Sequence, residues 1–142
     1  MKLSTGKVAF PIEFDNGDKD CIYFNPSDPD LMIRIKNVES RIEEKIGEIK
    51  DMELTADGNP IGDFVEEFER IQTIIKNEID VVFDGNISEI VFKHCSPFAI
   101  VNGDYFMLAF LDAIKPEIEK HIKKSRAEAA KRMNKHIGKY KK

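Results

Sequence analysis

The chain has 142 residues, of which 42% are hydrophobic and 34% charged, and its formal net charge at pH 7 is −4. This length predicts one domain with a substantial apolar core, and the composition excludes an intrinsically disordered chain. The charge is uneven, because residues 1–114 carry a net −12 and residues 115–142 a net +8. An acidic body that continues into a basic C-terminal helix or tail of the same domain favours self-association, an acidic partner or nucleic acid.

The start of the chain and its apolar runs indicate where the protein resides. Met1-Lys2-Leu3 runs into polar residues without the apolar stretch of a signal peptide. The longest apolar runs are far shorter than the ~20 residues that cross a bilayer, so no membrane association is expected. Cys21 and Cys95 are interpreted as free thiols in a reducing compartment, with a disulfide left open. We therefore expect a cytosolic protein.

The first predicted element is a β-hairpin. Apolar side chains alternate over residues 7–14, residues 21–24 form the return strand, and Asn16-Gly17 is a hairpin turn signal. Pro11 lacks an N–H donor, which places the first strand at a sheet edge. Since an isolated hairpin is only marginally stable, it must lie against helices or pair with another chain.

Two long amphipathic helices are predicted next. Asp28-Pro29 is a strong helix start, with an acidic N-cap and a proline where no N–H is needed. Apolar residues at steps of three or four extend this helix to about Met52. A loop rich in turn residues follows at 54–60, and the same periodicity predicts a second helix from about Ile61 to about Phe83. Gly85 is expected to be the left-handed residue that ends it.

The last third of the chain is predicted to hold two more helices. A short one covers about residues 87–93, and Pro97 then keeps a connector out of helix. Asn102-Gly103-Asp104 is expected to start a fourth helix whose first part is apolar nearly all round. Pro116 either kinks this helix or starts a new one. The predicted fold is therefore mainly α with a small N-terminal β-hairpin (α+β): a bundle of about four helices, the last long and kinked at Pro116.

Candidate chemistry is sparse. Residues 15–20 resemble a calcium loop only in being acidic, and they lack the EF-hand spacing, so a polar hairpin turn is preferred. The histidines and cysteines lack the usual zinc spacings. We find no phosphate-binding, nucleophile-elbow or zinc-protease motif. The sequence therefore predicts no catalytic residue, no metal, no cofactor and no enzymatic activity.

The basic C-terminal segment is the strongest candidate binding feature. A solvated surface, a protein-docking or self-docking surface, and a nucleic-acid contact all remain open for it. The acidic body and the scarcity of aromatic residues argue against nucleic acid. The candidate partner-binding residues are Lys120, Lys123, Lys124, Arg126, Lys131, Arg132 and Lys135.

A particular order of short stretches runs along nearly the whole chain. The hairpin is followed by Tyr23-Phe-Asn-Pro-Ser-Asp-Pro-Asp-Leu31 and an amphipathic helix, then by Cys95-Ser-Pro-Phe98, Val101-Asn-Gly-Asp-Tyr-Phe106, Phe110-Leu111 and the Lys/Arg-rich end. This order resembles the small tail assembly chaperones of long-tailed (siphovirus-type) phages and prophages, especially those of Gram-positive bacteria. These stretches are structural, and none is a catalytic signature.

The resemblance implies a non-enzymatic virion assembly protein of the host bacterial cytoplasm, absent from the mature virion. Such chaperones hold the tape measure protein, keep it soluble and promote tail tube polymerisation around it. The implied partners are the tape measure protein, possible contact with the major tail protein, and further copies of the chain in a homo-oligomer. Two alternatives stay open: a structural head–tail or tail component of the virion, and a nucleic-acid-binding regulatory protein that uses the basic helix.

Overall fold

The computed structural model describes residues 1–55 and 61–138. In this part of the chain, two antiparallel hairpins and four helices follow one another. The predicted class, mainly α with a small N-terminal hairpin and a long last helix, is confirmed. The elements in chain order are β1 (Val8–Glu13), β2 (Lys19–Phe24), α1 (Pro29–Thr55), α2 (Ile61–Phe83), α3 (Ser88–Val91), β3 (Ile100–Val101), β4 (Asp104–Tyr105) and α4 (Phe106–Gly138).

The first hairpin closes through a three-residue loop. The Phe14 amide donates to the Asp18 carbonyl at 2.8 Å, and the Gly17 amide donates to the Phe14 carbonyl at 3.0 Å. Gly17 has φ 88°, as the bulge residue of such a loop requires. Hydrogen-bonded pairs alternate from this end, so Pro11, opposite Cys21, falls at a non-hydrogen-bonded pair. Pro11 thus leaves the ladder with β2 intact and removes a donor from the outer edge of β1, as predicted for an edge strand.

The start of α1 is capped as predicted. The Asp28 carboxylate accepts the Asp30 amide at 3.0 Å, and the Asp28 carbonyl accepts the Leu31 amide at 3.1 Å. The helix begins at Pro29 and runs to Thr55, three residues beyond the predicted end at Met52. The predicted loop at 54–60 falls largely outside the described residues.

The end of α2 corrects one prediction. The helix does end at Phe83, but the left-handed residue is Asp84, with φ 52°, and not Gly85. The Asp84 amide donates to the Val81 carbonyl at 3.2 Å and the Gly85 amide to the Asp80 carbonyl at 3.1 Å, which is the Schellman pattern. Gly85 has a packing role instead, because a Cβ there would lie 3.2 Å from the Tyr23 carbonyl oxygen.

Helix α3 is shorter than the predicted span of residues 87–93. It covers Ser88–Val91, and a side chain from α2 holds its start. The Asp80 carboxylate accepts the amides of Ile87 and Ser88 at 2.9 and 2.7 Å and the Ser88 hydroxyl at 2.8 Å. These bonds pair backbone amides that a helix start leaves without partners. They also pair the hydroxyl of Ser88, which is buried.

The prediction that Asn102-Gly103-Asp104 starts α4 is wrong. Asn102 and Gly103, with φ 53° and 81°, form the two-residue turn of the small β3–β4 hairpin, and the helix begins at Phe106. Positive φ at both central residues is the geometry that Asn-Gly favours between antiparallel strands. The first amides of α4 are paired by the preceding connector, because Phe106 donates to the Ala99 carbonyl at 2.8 Å and Met107 to the Pro97 carbonyl at 3.0 Å.

Helix α4 continues through Pro116 to Gly138 as a single element, so Pro116 does not start a new helix. Proline removes one backbone hydrogen bond and crowds the preceding turn, and a bend at Pro116 stays a prediction on that ground. None of the helices in the described part of the chain combines the length and apolar content needed to span a bilayer.

The core lies where the inner face of the first hairpin meets α1, α2 and the first half of α4. Phe24 is fully buried, stacks on Phe10 with ring centroids 4.5 Å apart, and meets the edge of Phe83 at 5.0 Å. Burying one such side chain contributes roughly 1.5–3 kcal/mol. An ion pair between Arg41 of α1 and Glu78 of α2, 3.0 Å apart, joins the two long helices.

Candidate protein-binding surface on the fourth helix

The first half of α4 is part of the core. Met107, Leu111 and Ile118 are fully buried, and Ile114 is nearly so. Their spacing of three or four residues places them on one face of the helix. Rings on other faces contact the body as well, with Phe110 centred 5.8 Å from Phe83. This half therefore holds a fixed position against the body.

Among the described residues, Ser125 is the last residue of α4 that is partly buried. Its hydroxyl is 2.6 Å from the hydroxyl of Ser27, which lies in the segment between the hairpin and α1. One turn earlier, the His121 ring meets Phe10 edge-on at 5.2 Å. Lys115 forms an ion pair with Glu39 of α1. The predicted division after residue 114 thus falls within the packed half of α4.

Beyond Ser125 the helix leaves the body. Every residue from 126 to 138 is exposed, and these 13 residues extend roughly 20 Å at 1.5 Å per residue. We call residues 126–138 the basic arm, since they carry four Lys or Arg and one Glu. Two large apolar side chains are among them: Met133 is 58% exposed and Ile137 43%.

All seven predicted partner-binding residues are exposed on α4, but they fall in two settings. Three lie on the packed half, where Lys120 is also 3.6 Å from Glu117, and four lie on the basic arm. Their side chains point to several sides of the helix, so they do not form a single patch. The packed half carries Lys120, Lys123 and Lys124, and the basic arm carries Arg126, Lys131, Arg132 and Lys135.

An open apolar groove of about 810 Å³ lies between β1 and the first half of α4. Its floor includes aromatic rings from both elements, and the ends of β1 and α3 close its sides. Carboxylates lie on both walls. Its lining includes Phe10, Ile12, Glu13, Phe14, Asp15, Val91, His94, Val101, Phe106, Phe110, Ala113 and Glu117. We call this the β1–α4 groove.

The β1–α4 groove is not predictable from local sequence patterns. Its walls come from residues about 100 positions apart, and no local pattern shows which apolar side chains remain partly uncovered. The one available signal is the excess of phenylalanine, with ten in the chain and no tryptophan. That excess predicts a rich apolar surface but not its location.

The acidic hairpin turn is held by two side chains that follow α3, Lys93 and His94. Lys93 Nζ lies 2.7 Å from Asp18 and 2.9 Å from Asp20, and His94 Nε2 lies 2.7 Å from Asp18. The hydrogen bond from Lys93, followed by that from His94, lowers the pKa of Asp18 to about 2. The same bonds to Asp18 and Asp20 raise the pKa of Lys93. These acids therefore fix the turn against α3.

The remaining metal-ligand and nucleophile types are separated. Cys21 and Cys95 are free thiols, and burial raises the pKa of Cys95, which opposes formation of a reactive thiolate. Among residues 1–55 and 61–138, no three His, Cys, Asp or Glu side chains are placed to hold a metal ion.

No family model, no curated protein sequence and no solved structure matches this chain.

Proposed function

We propose that this protein is a tail assembly chaperone of a long-tailed phage or prophage. In this role it acts without catalysis in the bacterial cytoplasm, binds the tape measure protein, keeps it soluble and promotes tail tube polymerisation. It assembles as a homo-oligomer and is absent from the finished virion. The order of sequence stretches described above motivates this choice of client.

The observation that carries the proposal is the open β1–α4 groove on a strongly charged body. A long helical client with apolar stripes aggregates unless those stripes are covered. Covering them requires a partly exposed apolar surface, which the half-buried rings of Phe10, Phe14, Phe106 and Phe110 supply. The charge around the groove keeps the chaperone itself soluble.

Co-expression with the tape measure protein from the same gene cluster tests the proposal. We expect the client to remain in the soluble fraction and to co-purify with the chaperone, and to precipitate when expressed alone. Val101→Glu places a charge in the groove, and Val81→Glu makes the same change at an exposed site outside it. Loss of co-purification is expected only for Val101→Glu. A client that precipitates equally with and without the wild-type chaperone would sink the proposal.

Absence from the virion is tested separately by mass spectrometry of purified particles. Stoichiometric amounts of the chain in finished tails would support a structural tail component in place of a chaperone. The expected result is that the chain is detected in infected-cell lysate and not in particles.

One observation favours a second candidate, nucleic-acid binding. The basic arm is exposed on all sides, and phosphate neutralisation by such lysines supplies most non-specific affinity. This candidate predicts binding to duplex DNA that weakens steeply with salt. A gel shift with no complex at low salt would remove it.

A further inference from the structure

The groove and part of the basic arm lie on the same face of α4. At about 100° per residue, ten positions of α4 fall within a sector about 80° wide, and they recur at steps of three or four. The first four line the β1–α4 groove, the next five are four exposed lysines and Glu128, and the tenth is Gly138. We call the row from its first residue to its last lysine the α4 track: Phe106, Phe110, Ala113, Glu117, Lys120, Lys124, Glu128, Lys131 and Lys135.

The track changes character along its length. Phe106, Phe110 and Ala113 give an apolar end, and Glu117 joins the two ends through its contact with Lys120, 3.6 Å away. The lysine end then extends along the basic arm. From its first to its last residue the track is roughly 44 Å long. Its four lysines and Glu128 carry a net charge of +3. An occupant of the whole track therefore needs an apolar stripe at one end and net negative charge along the other.

We propose that the α4 track binds a helical segment of the client whose apolar stripe continues into a run of Asp and Glu. This inference rests on the proposed function and names the part of the client that is bound. The apolar end of the segment lies in the β1–α4 groove, and its carboxylates face the four lysines. Charge complementarity along the arm fixes the register, and burial in the groove supplies most of the affinity.

The edge of β1 favours a helix over an added strand. Strand addition needs a row of free backbone donors and acceptors, and Pro11 removes the donor at the middle of the outer edge of β1. Pro11 and Glu13 both line the groove, so this interrupted edge borders it. A helix has satisfied its own backbone groups and loses nothing against such an edge.

A polyanion and a second copy of the chain fit the track less well. Glu13, Asp15 and Glu117 in the groove repel phosphates, and no Phe, Tyr or Trp lies between positions 126 and 138 for base stacking. The basic arm of a second copy offers only Met133 and Ile137 as large apolar side chains, too few to fill about 810 Å³. The basic arm of a second copy is also positively charged, whereas the lysines of the track require a negatively charged partner.

Binding of synthetic helical peptides to the full chain tests the proposal. The main probe is a peptide of about 30 residues with a leucine stripe, neutral flanks in one half and glutamate flanks in the other. A second peptide replaces glutamate with lysine, and a third contains the leucine half alone. We expect the glutamate peptide to bind at least about tenfold more tightly than either, measured by fluorescence anisotropy. Equal affinity for all three peptides overturns the proposal.

Paired charge reversals separate the track from net charge. Lys124→Glu with Lys131→Glu reverses two track positions, whereas Lys123→Glu with Arg126→Glu makes the same net change about 100° to 160° away around the helix. All four side chains are exposed, so both variants are expected to fold. The track variant is expected to lose about tenfold in affinity for the glutamate peptide, and the off-track variant less than about threefold. Equal losses contradict the proposal.

The groove end is tested with Val101→Glu, and Val81→Glu is the control. Only Val101→Glu should lower the affinity for the peptide that contains the leucine half alone. A single-stranded DNA oligonucleotide that displaces the glutamate peptide and binds more tightly overturns the proposal. The proposal is also overturned if the wild-type chain binds no peptide and the track variant changes the oligomeric state, because the track would then be a contact between copies of the chain. If the tape measure protein co-purifies equally with the wild-type chain and with the track and groove variants, the proposed function stands and this inference fails. If the chain binds the glutamate peptide but not the tape measure protein, the proposed function fails and binding by the track stands.

Discussion

The two halves of α4 share one amphipathic pattern but lie in different surroundings. Leu111 and Ile118 in the first half are fully buried, whereas Met133 and Ile137 in the basic arm are 58% and 43% exposed. The difference comes from what lies beside each half and not from the helix itself. The body ends at the contact between Ser27 and Ser125, so the same periodicity stabilises the fold on one side of that point and remains available for binding on the other.

The largest expected difference between the halves is in core stability. Leu111→Ala should lower the free energy of unfolding by about 2–5 kcal/mol, because it leaves a cavity at a fully buried site. Met133→Ala should change it by less than about 0.5 kcal/mol, because Met133 is 58% exposed. Urea unfolding followed by circular dichroism measures both. Similar losses for the two variants would mean that the arm packs on the body in solution.

The end of the packed half is tested by removing its last hydrogen bond. Ser125→Ala should cost about 0.5–1.5 kcal/mol, since it leaves the Ser27 hydroxyl without this partner. The control is Ser40→Ala on α1, whose exposed hydroxyl makes only a long bond of 3.4 Å to the Lys36 carbonyl within the same helix. The two variants are compared by denaturant midpoint. An equal effect at both sites would argue that Ser125 does not anchor α4.

Ending the chain at Ser125 should change the free energy of unfolding by less than about 0.5 kcal/mol, because all of residues 126–138 are exposed. In the full chain, amide hydrogens of the arm should exchange far faster than those of residues 107–122. A 13-residue helix that is exposed along its whole length is marginal in water. Hydrogen exchange read by mass spectrometry resolves the two halves. Equal protection along α4 is the contrary result.

The smallest effect concerns the wall of the groove formed by the hairpin turn. With a pKa of about 2 for Asp18, against 3.8 for the ordinary group, stabilisation by its bonds to Lys93 and His94 is present above pH 3.8 and is lost as the pH falls through about 2. NMR titration of the Asp18 carboxyl should give this low midpoint. Lys93→Ala should move it back toward 3.8. A midpoint that does not move would show that Lys93 does not hold the turn.

Local signals predicted most of the secondary structure. The cap at Asp28-Pro29 and the apolar stripes placed α1 and α2, and α2 matches its predicted span. These succeed because caps and periodicity act within a few residues. The second Asn-Gly pair shows the limit of this approach. Asn102-Gly103 carries the same hairpin signal as Asn16-Gly17, but its strands are only two residues long, so no alternation of side chains distinguishes it from a helix start.

Side-chain approach between distant elements was not readable from local patterns. Asp84 takes the left-handed position because α2 ends at Phe83, and Gly85 lies where the Tyr23 backbone passes close by. The β1–α4 groove likewise forms between residues far apart in the chain. Both depend on how the hairpin packs against the helices, which is a property of the whole fold.

The basic C-terminal segment shows both levels at once. Its charge and helical spacing follow from the residues themselves, and the spacing also fixes which lysines share a face of the helix. Where the packed half of α4 gives way to the exposed arm follows from the tertiary structure. Burial depends on neighbours that meet only when the chain has folded, and Ser125 is the last described residue of α4 that they partly bury.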